Sequence, residues 1–163
     1  MTAEYAIPAA PRPTVAVTGS NARFPVRRIY CVGRNYPEHA REMGFNDVRA
    51  PPFFFTKPAD AVIASGGDVP FPTRTANLHH EIELVVALGK GGCDVAVEDA
   101  AGLVYGYAVG VDLTRRDVQA VMKEQGKPWD TAKGFDHSAP ISSIVPAAGK
   151  AHPVNGRIWL EVN

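Results

Sequence analysis

Apolar and polar positions alternate over short stretches of this chain, and Gly or Pro interrupts each stretch. Residues 29–32 are an apolar run closed by Gly33, residues 53–56 follow Pro51 and Pro52, and residues 61–64 precede Gly66 and Gly67. Each of these predicts a strand. Residues 79–88 form the most legible strand. Ile82, Leu84, Val86 and Leu88 fall on one face, and His79, Glu81 and Glu83 on the other. The Gly-Lys-Gly-Gly run at 89–92 then predicts a turn; it lacks the spacing of a phosphate-binding loop.

A second long strand is expected over 105–111, ending at Asp112. Thr114, with Asp117 three residues on, has the spacing of a capping box and predicts a helix to about Gln125, stopped by Gly126. Residues 38–43 suit a turn or two of helix before Gly44. At the C-terminus Ile158, Leu160 and Val162 alternate with Trp159, Glu161 and Asn163. That pattern predicts a strand needing a partner, so the chain is expected to continue beyond Asn163. The first 25 residues are rich in Ala and Pro without periodicity and read as an extended arm, either wrapped on a neighbour or mobile. The pattern therefore predicts an arm over 1–27 and a β-rich domain over 28–163, incomplete at its C-terminus.

Composition narrows the function classes more than it names one. The 163 residues suffice for one domain with a core, burying about 70% of the unfolded chain's surface. Lys and Arg total 17 and Asp and Glu 17, so no basic excess points to nucleic acid or a membrane surface. No apolar run approaches the ~20 residues of a bilayer span, and the N-terminus lacks the pattern of a secretory signal. Cys31 and Cys93 are too few and too far apart for a disulfide framework or a zinc site. A reduced cytoplasmic setting is expected.

Candidate chemistry lies on the polar strand face. Glu81 and Glu83 project from the same side roughly 7 Å apart, and their repulsion needs a partner. A divalent cation would serve, with Asp112 as a third oxygen ligand. A donor set of carboxylates without cysteine favours a hard ion such as Mg²⁺, Mn²⁺ or Ca²⁺. His79 either joins them or hydrogen-bonds a ligand. His39 and Glu42, three apart, share one face of a helical turn, the arrangement of a carboxylate-oriented general base. Asp112, Arg116, Gln119 and Lys123 form a stripe in which Arg116 and Gln119 suit a substrate carboxylate. Lys133 lies in a loop before Gly134. On spacing alone, solvated polar faces are the better reading at these positions. The adjacent Asp136-His137-Ser138 cannot converge as a catalytic triad, and Cys31 sits in an apolar run as a small hydrophobe.

Four segments together resemble one family. Gly33-Arg34-Asn35-Tyr36 with His39 and Glu42 resembles the G-x-N-Y-x-x-H-x-x-E signature of the fumarylacetoacetate hydrolase family. Leu78-His79-His80-Glu81-Ile82-Glu83-Leu84 resembles its metal strand, and residues 110–119 its metal-aspartate and substrate-helix segment. Residues 129–136 resemble the loop bearing its active-site lysine. Within the family, the wording of residues 23–36, 51–62 and 132–141 is most similar to bacterial fumarylpyruvate hydrolases. The family's later T-G-T-P segment is absent.

The resemblance implies an α+β, β-rich fold: a mixed β-sandwich roll with peripheral short helices, usually a homodimer. It implies Glu81, Glu83 and Asp112 as ligands of Mg²⁺ or Mn²⁺, with Ca²⁺ as a substitute in crystals. His39 and Glu42 become the water-activating pair, and Lys133, Arg116 and Gln119 the contacts to a small keto acid. The implied reaction is hydrolysis of a carbon–carbon bond in an acylpyruvate, with fumarylpyruvate as the leading substrate. General acylpyruvate hydrolysis, oxaloacetate decarboxylation and isomerisation of an unsaturated keto diacid are the alternatives on the same scaffold. Arg115 is a weaker candidate for a second substrate carboxylate.

Overall fold

The alternating segments become two hairpins and one mixed sheet in the structure, a computed structural model that describes residues 4–33, 35–36, 51–64 and 66–163. β1 (Thr14–Ala16) pairs antiparallel with β2 (Arg23–Pro25), and β3 (Ile29–Gly33) with β4 (Phe53–Lys57). The larger sheet has the order β5-β8-β7-β6, from β5 (Val62–Ala64), β6 (Leu78–Leu88), β7 (Val104–Arg115) and β8 (Ala139–Ile141), and β9 (Val145–Pro146) also pairs with β7. β5 and β8 run parallel and the other pairs antiparallel. Helices among the described residues are short: α1 (Val97–Ala100), α2 (Arg116–Glu124) and α3 (Asp130–Lys133). The expected helical turn at 38–43 lies outside the described residues.

The β6–β7 ladder organises everything else. Glu81 stands opposite Asp112, Glu83 opposite Gly110, Val85 opposite Ala108 and Ala87 opposite Gly106. Facing residues in an antiparallel pair share one side of the sheet, so these eight point the same way. The β7 members are small for a reason. A Cβ on Gly106 would lie 2.4 Å from the Val145 carbonyl oxygen, and one on Gly110 would lie 2.7 Å from Val85 Cγ2. The opposite side carries Leu84, Val86, Leu88 and Val109, each about half exposed. The carboxylate side of β6 is thus the inward one, the reverse of a solvated polar face.

A small core of Val15, Ala87, Ala108 and Ile144 holds the layers together, with Phe24, Val62, Val85 and Tyr105 packed around it. Ile144 is fully enclosed, a burial worth roughly 1.5–3 kcal/mol. It also ties in β1, because Ile144 N–H donates to the Ala16 carbonyl and Thr18 N–H to the Ile144 carbonyl, both at 2.9 Å. Inside the segment expected to be an arm, residues 14–25 therefore form a hairpin, driven by burial of Val15 and Val17.

Two local expectations are corrected. Thr114 is not a helix cap: β7 continues through it to Arg115, and Thr114 is buried opposite His79 in the ladder. Cross-strand pairing overrides the local capping signal. Asp117 instead secures the start of α2, accepting from Thr75 Oγ1 (2.6 Å), Ala76 N–H (2.9 Å) and Val118 N–H (2.9 Å). The stop at Gly126 holds, with φ +62° and a bond from Lys127 N–H to the Met122 carbonyl. Residues 158–162 form no ladder and leave Trp159 and Val162 exposed. A strand exists only with a hydrogen-bonded neighbour, and none is seated there among the described residues.

Candidate active site

Hairpin β3–β4 faces the inward side of the β6–β7 ladder. Its register places Ile29 opposite Lys57, Cys31 opposite Phe55 and Gly33 opposite Phe53, so Cys31, Phe53, Phe55 and Lys57 share a side. Between hairpin and sheet opens a cavity of about 810 Å³. Its charged lining includes Glu81, Glu83, Asp112, Lys57, Lys133 and Arg116, and aromatic side chains of Phe53, Phe55 and Trp129 lie alongside. Trp129 packs edge-on to Phe53 with ring centres 5.4 Å apart.

The charges interlock. Lys133, only 2% exposed, donates to Glu81 Oε2 at 2.8 Å and to Asp112 Oδ2 at 2.7 Å. Arg116 pairs through Nη2 with Glu81 Oε1, donates through Nη1 to Gln119 Oε1 at 2.5 Å, and through Nε to His79 Nδ1 at 3.3 Å. Lys57, 4% exposed, donates to the carbonyls of Leu113 (3.0 Å) and Lys133, and its ammonium lies 2.9 Å from Asp112 Oδ1. Tyr36 hydroxyl accepts from Leu84 N–H at 3.2 Å and hydrogen-bonds Glu83.

Electrostatics separates the two glutamates. Burial alone would raise the Glu81 carboxyl, but Lys133 and Arg116 outweigh it and hold the group at about 2. At Glu83 burial prevails: with repulsion by Asp112 and Glu81 it pushes the group up to about 7, against the bond from Tyr36 and the charge of Lys133. Burial and Asp112 likewise push the Cys31 thiol to about 12, which leaves it protonated and unreactive at neutral pH. Burial pulls the Lys57 ammonium down, opposed by Asp112. Burial and Arg116 lower His79.

The donor set fits a hard divalent cation. Glu83 is a carboxyl whose ionisation is suppressed by burial and by two neighbouring carboxylates, which a dication would relieve. Asp112, on the same face, already meets the ammonium groups of Lys57 and Lys133. As they stand, no three His, Cys, Asp or Glu side chains among the described residues are gathered closely enough to hold an ion. The Lys133 ammonium occupies the space between Glu81 and Asp112 instead.

Of the residues singled out from sequence, Glu81, Glu83, Asp112, Arg116, Gln119 and Lys133 come together, with His79 at the rim. Asp112 reaches them from strand β7, as expected of the end of that strand, and Lys133, expected in a loop, ends α3 and is buried. Lys123 lines the cavity. His39 and Glu42 lie outside the described residues. Arg115 turns away: its guanidinium lies 4.4 Å from the Phe135 ring centre and donates to the Thr131 carbonyl. Lys57 was missed. Its signal was the period-two continuation of Phe53 and Phe55, which puts a lysine on an otherwise aromatic inward face.

Residues 28–163 match the sequence model of the family described as "Fumarylacetoacetate (FAA) hydrolase C-terminal". The chain belongs to the fumarylacetoacetate hydrolase family. Its sheet-rich architecture with few short helices is that of the family fold. The crystal structure of fumarylpyruvate hydrolase from Pseudomonas aeruginosa, in complex with Mn²⁺ and pyruvate, superposes with a TM-score of 0.87 at 52% identity, covering 92% of this chain and 66% of that one. A fumarylpyruvate hydrolase of a Ralstonia species is 47% identical over 111 residues, 68% of this chain and 57% of its own length. The mitochondrial oxaloacetate tautomerase FAHD1 of Arabidopsis thaliana is 43% identical over 136 residues, 83% of this chain and 60% of its own. The chain thus spans about 60% of the length of the curated relatives it matches. No helix among the described residues is long and apolar enough to cross a membrane.

Proposed function

We propose that this site belongs to a divalent-metal-dependent hydrolase of acylpyruvates, converting fumarylpyruvate and water to fumarate and pyruvate. The placement of Glu81, Glu83 and Asp112 on one inward face, beside Lys57, Lys133 and Arg116, carries the reading. The likeness to fumarylpyruvate hydrolases, one of them described with Mn²⁺ and pyruvate, supports the substrate. By the same reading the protein acts as a homodimer in the cytoplasm.

Glu81, Glu83 and Asp112 would hold Mg²⁺ or Mn²⁺. When bound, the ion supplies Lewis acidity toward the oxygens of the keto acid. Cleavage of the C3–C4 bond leaves an electron pair that must be delocalised onto the C2 oxygen, and the Lys133 ammonium is the protein's own charge for that oxygen. Arg116, steadied by Gln119, offers a fork to the substrate carboxylate. His39, oriented by Glu42, takes a proton from the water that attacks the C4 carbonyl. Water oxygen thus ends in fumarate, and a proton is delivered to C3 of pyruvate.

A second reading is tautomerisation or decarboxylation of oxaloacetate, favoured by the likeness to the Arabidopsis tautomerase. A product assay decides: fumarylpyruvate, simpler acylpyruvates and oxaloacetate are offered with Mn²⁺ or Mg²⁺, then with excess EDTA. Fumarate plus pyruvate from the first substrate, lost in EDTA and restored by either ion, is expected. Faster turnover of oxaloacetate would transfer the assignment to the second reading. Undiminished turnover in EDTA would remove the metal.

A further inference from the structure

We propose that Lys57 is a positioning residue that fixes the Lys133 ammonium against Asp112 by tying the end of α3 to strand β7. The need for such a tie is physical. α3 has four residues, too few to hold itself together, and its last carbonyl has no partner within the helix. Lys57 supplies one: its ammonium donates to the carbonyl of Lys133 itself. The same nitrogen donates at 3.0 Å to the carbonyl of Leu113, the residue after Asp112, and sits 2.9 Å from Asp112 Oδ1. One buried cation therefore joins the backbone at 133, the backbone at 113 and the carboxylate at 112.

The Lys133 side chain then reaches back to Glu81 and Asp112 from an anchored origin. Two of the three N–H groups of Lys57 are spent on backbone carbonyls, so its task is directed at the protein and not at a ligand. A positive charge is also the favourable partner at a helix C-terminus. For turnover the inference rests on the hydrolase reading; for geometry it does not.

The test uses Lys57→Met, which keeps the stem and removes the donors, and Lys57→Arg, which restores donors. Amide exchange is followed at Lys133 and Gly134, whose N–H groups close α3 onto Trp129 and Asp130. Mn²⁺ alone is titrated calorimetrically, and kcat and KM are measured with fumarylpyruvate. In Lys57→Met, exchange at both amides is expected to quicken about 10-fold or more. Mn²⁺ binding is retained, and kcat falls about 10- to 100-fold, as for a misplaced catalytic group. Lys57→Arg falls between it and the wild type.

Unchanged exchange in Lys57→Met would overturn the inference, as would unchanged kcat in an active enzyme. If Lys57→Met fails to fold, Lys57→Gln replaces it in the same comparison, and a Lys57→Arg variant no better than it overturns the inference. A wild type that does not cleave fumarylpyruvate refutes the hydrolase reading alone, since the exchange result still decides the role of Lys57.

Discussion

Removing the charge of Glu83 should alter the pH dependence of stability in the metal-free protein. The carboxyl is pushed from the ordinary 4.5 to about 7 by burial and by Asp112 and Glu81. Between those values the unfolded chain has lost this proton and the folded protein still holds it. The folded state therefore binds more protons, and stability falls as pH rises through the window. Each tenfold step in acidity is worth ~1.4 kcal/mol, which sets an upper bound of roughly 3 kcal/mol. The group lines an open cavity, so solvent screening reduces this to about 2 kcal/mol. Glu81, held at about 2, titrates below the window and Cys31, at about 12, above it. Urea unfolding of wild type and Glu83→Gln, metal-free, at pH 4.5, 5.5, 6.5 and 7.5 isolates the effect, because the histidines contribute alike to both. Wild type should lose about 2 kcal/mol relative to the variant across the series. Saturating Mn²⁺ should cancel that loss, since binding requires the ionised group. Parallel curves for the two proteins without metal would refute the reasoning.

Two further outcomes test the site and the fold separately. Glu42→Gln should cut fumarylpyruvate cleavage about 10²–10⁴-fold, the range of a general base, and oxaloacetate decarboxylation much less; equal losses with metal still bound would show that the pair does not activate water. Gly106→Ala forces a Cβ to within 2.4 Å of the Val145 carbonyl oxygen and should cost at least about 2 kcal/mol, read as a melting temperature lowered by several degrees.

The long strands were legible because period-two patterning is local, and so was the shared face of Glu81 and Glu83. Which face pointed inward was not. Leu84, Val86 and Leu88 look like core residues in sequence, and only the pairing of Glu83, Val85 and Ala87 with Gly110, Ala108 and Gly106 shows that their side encloses the cavity. Thr114 misled for the same reason: a capping signal spans four residues, whereas the ladder that claims Thr114 spans from Leu78 to Arg115. The hairpin at 14–25 could not be seen because its stabilising partner, Ile144, lies more than a hundred residues away. Lys133 was found through the family's motif, its burial only through the structure. Lys57 carried only a periodic signal, as the next inward position after Phe53 and Phe55.

Because Glu81 faces Asp112 and Glu83 faces Gly110 across one antiparallel ladder, the site tolerates length changes very unevenly. Residues 89–103 connect the two strands without taking part in that alignment, so gained or lost residues there leave the carboxylates where they are. One residue inserted in β6 between Glu83 and the turn has a different effect: the ladder must either bulge or slip, and a slip carries Glu81 and Glu83 to the outer side. Among natural variants of this sequence, indels should therefore crowd into 89–103 and be missing from 78–86 and 107–115, a pattern set by strand parity and independent of which keto acid is cleaved.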